Sequence, residues 1–371
     1  MKHSLLIATV LFAVTFAAAQ AKPEQAKQEQ DKPQTVNAKV VDQAVAGGLA
    51  STIKKVASGG AAAWVGYAVP ATDGEQHMCC FNARSEFRGN GRCCGGCRLE
   101  SGSGDNMIAD RINDCHAPES DSFFVLARVG GGEVQKIRTF SADCGLDLAG
   151  LTLYWLGNVP PAESVAWLSG FAAGYSGEDR GDRNRADGAL TAIAFHKDPS
   201  ADAALATFIG PQRPRKLREQ AAFWLGSARG QRGFEILRDT VRKDNDPKFR
   251  EQTTFAISES SVPEAEPELI RMARQDQDRE VRSQALFWLA QKAGQKMAKV
   301  INEAIENDPD TEVKKKAVFA LSQMDRGEGV PLLINIAKTN KNPVVRKEAV
   351  FWLGQSGDSR ALDFIESVLK Q

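Results

Sequence analysis

Phenylalanine stands at Phe223, Phe255, Phe287, Phe319 and Phe351, and every step in that series is 32 residues. A basic residue keeps the same register at Arg218, Arg250, Arg282, Lys314 and Arg346, and an apolar one does so at Leu225, Ile257, Leu289, Leu321 and Leu353. A period between about 20 and 50 residues marks a stacked array whose unit is too small to bury its own apolar face, so neighbouring units must supply the core. The function of this part of the chain therefore has to be read from a surface that repeats.

Within a unit the spacing is helical. With Val345 as position zero and about 100° per residue, Ala349, Trp352 and Leu353 fall in one quadrant with it and form the buried stripe. Position 4 is always Ala or Thr (Ala221, Thr253, Ala285, Ala317, Ala349), as close helix approach requires. Position 7 alternates large and small (Trp224, Ala256, Trp288, Ala320, Trp352) and is expected in the core, where a large residue faces a small one in the next layer. The phenylalanine holds position 6, about 240° round the helix and away from the stripe. Gln220, Gln252 and Gln284 flank it at position 3. Two uses stay open for these rings: lateral core between equivalent helices, or a ladder contacting a partner.

The same register continues upstream. Ala189, Ile193 and Leu205 lie 32 residues before Ala221, Leu225 and Leu237, and Tyr154-Trp155-Leu156-Gly157 followed by Leu168 copies Phe223-Trp224-Leu225-Gly226 followed by Leu237. The array is thus expected over 148–371 as about seven helix pairs, the first two atypical and the units regular from about 213, with an irregular loop at Ser176–Asp187. Asp182–Gly188 misses the calcium-loop pattern at Ala186, and Arg180-Gly181-Asp182 reads as part of the same solvated loop.

The N-terminal part has a different composition. Met1-Lys2-His3, an apolar run from Leu5 to Ala19 and the small-x-small sequence Ala19-Gln20-Ala21 predict a cleaved secretory signal over 1–21. No cysteine follows it to carry a lipid, and the run is short for a membrane span. The expectation is a periplasmic or secreted protein with no membrane insertion after cleavage. Residues 22–58 read as a polar spacer, with a short amphipathic helix over Val40–Val56 carried by Val41, Val45, Leu49 and Ile53. Residues 59–147 read as a small Cys-rich α/β domain, with a strand at Ala63–Val69 and a hairpin of Ser122–Val129 and Glu133–Ser141 around three glycines. All seven cysteines (Cys79, Cys80, Cys93, Cys94, Cys97, Cys115, Cys144) lie there, which in an oxidising compartment predicts a disulfide framework with one thiol left over. Cys94-Gly95-Gly96-Cys97 also has the spacing of thiol-redox and zinc motifs. With 47 basic and 47 acidic residues, the chain has no positive excess with which to release counterions from nucleic acid.

The segment Pro343–Gly354 (PVVRKEAVFWLG) resembles the second helix of HEAT repeats, in particular the HEAT-like repeats first named from phycobilisome lyases. The likeness runs over about 213–371 and more loosely from 151. It implies a right-handed α-solenoid with the second helix of each pair on the concave face and the phenylalanines along it. It also implies a structural ladder between the in-phase Arg and a turn carboxylate, here assigned to Asp246, Asp278, Asp310 and Asn342. Two enzymes share this repeat class. Deoxyhypusine hydroxylase holds two irons through His-Glu pairs, and none of His3, His77, His116 and His196 precedes a Glu. Bilin lyases serve cytoplasmic antenna proteins, against which the secretory signal argues. No G-x-S-x-G, H-E-x-x-H or P-loop occurs, and no cofactor is expected. The sequence thus predicts a mainly α chain, a HEAT-like solenoid behind a small disulfide-rich α/β domain. Its expected activity is non-enzymatic binding of a protein partner on the concave face. The rivals are an envelope thiol-redox or metal-dependent enzyme with its site in the head, and a structural spacer.

Overall fold

The computed structural model describes residues 32–72, 96–100, 107–108, 121–142, 144–175 and 180–370. The signal-like segment and the C-x-x-C motif up to Gly95 lie outside them, as do Cys79, Cys80, Cys93, Cys94 and Cys115.

Strands β2 (Lys39–Asp42), β3 (Ala63–Pro70), β6 (Ser122–Gly130), β7 (Glu133–Ser141) and β9 (Thr152–Asn158) build a five-stranded sheet in the order β2-β9-β3-β6-β7. Strand β9 runs parallel to both its neighbours, whereas β3, β6 and β7 are antiparallel. Successive side chains of a strand point to opposite faces, so β3 serves two cores: Val65, Tyr67 and Val69 face the helices, while Trp64 and Ala68 face the other side. There a smaller sheet covers it, in the order β1 (Thr35–Val36), β8 (Gly145–Asp147), β4 (Gly96–Arg98), β5 (Met107–Ile108). Cys97 and Cys144 are buried in this second core and are disulfide-bonded.

Helix α1 (Leu49–Ser58) precedes the sheet's second strand β3, and among the described residues thirteen more α-helices follow β9. They form six pairs: α2 (Pro161–Ala173) with α3 (Arg180–Phe195), α4 (Pro199–Phe208) with α5 (Arg215–Ala228), and α6 (Gly230–Val241) with α7 (Pro247–Ser258). The later pairs are α8 (Ala265–Gln275) with α9 (Arg279–Ala293), α10 (Ala298–Asn307) with α11 (Thr311–Ser322), and α12 (Arg326–Thr339) with α13 (Pro343–Ser356). A last helix, α14 (Ser359–Leu369), closes the order. The second helices of successive pairs, α3 to α13, pack on one another extensively, and the first helices scarcely meet. A stack tight along one side and open along the other curves toward the tight side, so the second helices line the concave face.

Three expectations are corrected. Residues 152–158 are a strand and not the first helical repeat: Leu153 and Trp155 fill one core and Leu156 the other, and a run buried on both faces carries no period by which to tell it from a buried helix. The helices of the array therefore begin at Pro161. The short helix starts at Leu49 and not at Val40, because Lys39–Asp42 pairs with β9. The stretch from Arg180 to Asp187, expected as loop, is the first half of α3.

One apolar cluster runs from Leu49 in α1 through the five-stranded sheet to Phe364 in α14, so sheet and array share a core. Their joint lies where α3 crosses β7. A Cβ on Gly188 would stand 2.2 Å from the Ile137 carbonyl oxygen, closer than any real contact. Gly188→Ala is expected to lever α3 off the sheet at a cost of about 1–3 kcal/mol, read as a lowered urea midpoint.

Candidate functional site: an aromatic stripe on the concave face

The repeat positions become a surface once the helices are stacked. The position-6 rings neither retreat into the core nor stand apart. Phe223 and Phe255 stack with centroids 5.8 Å apart and planes 15° off parallel. Phe287 and Phe319 repeat this at 6.2 Å and 6°. Between the stacks, Phe255 leans on Trp288 and Phe319 on Trp352, each at 4.8 Å. Each tryptophan also meets the preceding phenylalanine edge-on, at 4.9 Å for Phe223–Trp224 and 5.0 Å for the other two. Trp224 reaches back to Phe195 at 5.4 Å, and Phe195 to Phe123 in the sheet at 6.3 Å. The rings form one unbroken file from β6 to α13.

The lateral packing expected of the phenylalanines is present, and the rings also keep an open side. Phe255 is 37 % exposed and Phe351 53 %, with Phe223, Phe287 and Phe319 half-buried. The tryptophans are half-buried members of the stripe, a correction to the expectation of core, whereas Ala256 and Ala320 at the same position are buried. Gln220 and Gln252 are exposed beside the rings and Gln284 is half-buried. Glu348, at the same position under Trp352, accepts from its indole Nε1 at 2.8 Å, but the buried Nε1 of Trp288 has no partner.

The charges beside the stripe are already matched. Lys216 pairs with Glu219 and Lys248 with Glu251, each at 2.9 Å; Lys292 pairs with Glu259 at 2.7 Å, and Lys316 with Glu280. Between these pairs the surface offers aromatic faces and carboxamides.

The ladder behind this face differs from the expected one. Arg250 binds Asp276 through two bonds of 2.9 and 2.8 Å, Arg282 binds Asp308 through bonds of 2.7 and 3.0 Å, and Arg218 binds Asp244. The partner is thus the carboxylate two residues before the one assigned from sequence. Asp246, Asp278, Asp310 and Asn342 instead cap helices, accepting from the backbone N–H of Lys248, Glu280, Glu312 and Val344. A side-chain oxygen at the N-cap satisfies one of the first-turn donors. The ladder stops at the fourth step: Lys314 donates to the Glu306 carbonyl, and Asn340 stands where an Asp would. A cleft between turns, about 480 Å³, is walled by Arg242, Asp244, Arg250, Asp276 and Asp278, most of whose charge these pairs satisfy.

A second polar cluster lies at the joint of sheet and helices. His196 Nδ1 donates to the Ala192 carbonyl at 2.7 Å, which leaves Nε2 to accept from Ser164 Oγ at 2.8 Å, and Ser164 in turn accepts from the Tyr67 hydroxyl at 2.8 Å. All three side chains are fully buried. Burial pushes the His196 pKa down to about 4 and holds the Tyr67 phenol above its ordinary value. The Ser and His side chains have no access to solvent, so this is a neutral core network. Sequence reasoning missed it, since no spacing links Tyr67, Ser164 and His196. Among the described residues no group of three or more His, Cys, Asp or Glu side chains could hold a metal ion, and no helix is long and apolar enough to cross a membrane.

Residues 203–290 and 298–371 match the sequence profile of HEAT repeats. No curated protein sequence matches the chain. Among solved structures, human deoxyhypusine hydroxylase in complex with glycerol is 17 % identical, with 56 % of this chain and 90 % of that one covered at a TM-score of 0.29. The complex of CpcE and CpcF of phycocyanin lyase from Nostoc sp. is 20 % identical, with 56 % and 81 % covered at a TM-score of 0.31. Neither likeness is large enough to bring over those proteins' chemistry.

Proposed function

The array from residue 203 onward being made of HEAT repeats, we propose that the chain is a non-enzymatic scaffold that holds a protein partner on its concave face. The observation that carries this reading is the continuous file of half-exposed rings. Aromatic side chains give large contact area with little entropy to lose, and they dominate the energetics of protein interfaces. The open carboxamides of Gln220 and Gln252 supply donors and acceptors at the rim of the stripe. Because the flanking charges are paired among themselves, attraction at a distance contributes little, and binding should persist in high salt. The partner then has apolar side chains to offer.

The N-terminal signal-like segment supports an envelope or secreted location, and the buried Cys97 and Cys144 support a head held by disulfides. In this reading the head closes one end of the array and does no chemistry. A photo-crosslinking residue at Phe255 tests it. An adduct with one protein is expected at that site, with none when the same residue replaces Lys299 on a first helix. Phe255→Ala should weaken capture about tenfold or more, as loss of an aromatic anchor does, with the melting temperature little changed. Equal loss of folding and capture would return the rings to a purely lateral role, and adducts at both sites would mean indiscriminate contact.

A further inference from the structure

The three tryptophans of the stripe stand in one register, yet the space beside each is used differently. The residue 29 positions before the indole is Phe195 for Trp224, Glu259 for Trp288 and Gln323 for Trp352. At the first, the chain fills the space with a ring: Phe195 is 9 % exposed and meets Trp224 edge-on at 5.4 Å. At the second it closes the space with an ion pair, since Glu259 binds Lys292, four residues beyond Trp288, at 2.7 Å. At the third neither device is present. Gln323 stands in place of the acid, and Ser356, four residues beyond Trp352, stands in place of the lysine. A serine is too short to reach across.

What is left is a pocket of about 170 Å³. Leu321, Met324, Val330 and Leu333, all buried, form its floor, and Trp352 forms its wall. Gln323 and Ser356 edge the mouth with uncharged groups, and Arg326 lies at the rim. An apolar cavity of about 150 Å³ admits benzene, so this one has room for a single phenyl-sized side chain. Trp352 leans back on Phe319 of the preceding unit at 4.8 Å, which makes the wall of the pocket a member of the ring file.

We propose that the pocket beside Trp352 receives an aromatic side chain of the bound partner, in the place that Phe195 takes beside Trp224. The inference rests on the scaffold reading above and adds one specific anchor to it. The chain itself supplies the precedent for the occupant: where this register carries a ring, that ring packs edge-on to the indole and is withdrawn from water. An aliphatic side chain of the same volume would gain less. A ring adds edge-to-face contact with Trp352 beyond its burial, and its face attracts the Arg326 guanidinium. A charged side chain would lose its hydration against the apolar floor. One seated ring also fixes where the partner lies along a surface that otherwise repeats every two units.

Methyl-labelled methionine tests this, because Met324 lies in the floor. Its signal, assigned through Met324→Leu, is followed while N-acetyl-phenylalaninamide is added to the whole chain. A saturable shift is expected, larger than the one N-acetyl-leucinamide gives at the same concentration. It should vanish in the double variant Gln323→Glu with Ser356→Lys, which rebuilds the closure seen at Glu259 and Lys292 and leaves the buried contacts in place. With helical circular dichroism unchanged, the same double variant should weaken capture of the partner through the crosslinker at Phe255 about tenfold, as loss of an aromatic anchor does. No shift at Met324, or capture indifferent to the double variant, overturns the anchor while an adduct at Phe255 keeps the scaffold. Absence of any adduct at Phe255 removes the scaffold, and the anchor with it.

Discussion

Asp308→Ala is expected to cost about 3–5 kcal/mol, the loss typical of stripping one partner from a buried ion pair. Arg282 is 8 % exposed and gives Asp308 two bonds, while its remaining nitrogen donates to the Asp276 carbonyl at 2.9 Å. Without the carboxylate, the guanidinium stays in place with its charge uncompensated, because retreat to solvent would also break its backbone bond. The stability of an array is a sum over units and their interfaces, so the damage should be local. Urea unfolding should split, with the units beyond α9 melting before the rest. Asn340→Ala, at the step where no carboxylate faces the basic residue, should cost only about 1.5–3 kcal/mol, the worth of its hydrogen bond to the Glu306 carboxylate. Similar losses at both sites would mean that the charge in the ladder contributes nothing beyond hydrogen bonding.

The second large effect is a dependence on acid. The unfolded chain takes up a proton at the ordinary histidine value of 6.5, and folded His196 does so only near 4. Between those values the unfolded state binds the extra proton, so stability is whole above about 6.5 and falls as pH drops toward 4. The difference amounts to about 3 kcal/mol. Burial is the main cause; the nearby Arg229 guanidinium adds to it, and Asp198 and the Ala192 carbonyl bond oppose it. In His196→Gln the imidazole titration is gone, so stability measured from pH 7 to pH 4 should fall less steeply than in the parent by about that amount. Parallel curves would show that water or a local opening solvates the ring when it charges.

The array was legible because its period is strict: Phe, a basic residue and an aliphatic one hold one phase five times between residues 213 and 371. The same strictness misled at Tyr154-Trp155-Leu156-Gly157. That tetrapeptide copies the repeat's spacing, but two neighbouring strands claim its backbone, and spacing says nothing of hydrogen bonds. The ladder was misassigned by two residues because each turn carries an Asp or Asn at two places two residues apart, one bridging or standing at the bridging place and one capping, and only geometry tells them apart. For Phe255, the helical wheel rightly placed the ring off the buried stripe, but it could not show that a ring off the stripe still rests on the ring of the next helix. His196 was beyond reach of any pattern, since its partners come from β3 and α2.

The alternation of Trp224, Ala256, Trp288, Ala320 and Trp352 sets a rule for changes in length. Two units of 32 residues, and not one, restore the same neighbours. Excising one unit would put tryptophan after tryptophan or alanine after alanine along the stripe, where now an indole rests on the phenylalanine of the alanine-bearing unit before it. Crowded or missing rings at that seam would both weaken the packing between units. An array of this kind can be shortened or extended without conflict only in pairs, so duplication or loss of a single unit would be punished at the seam even though each unit is sound alone.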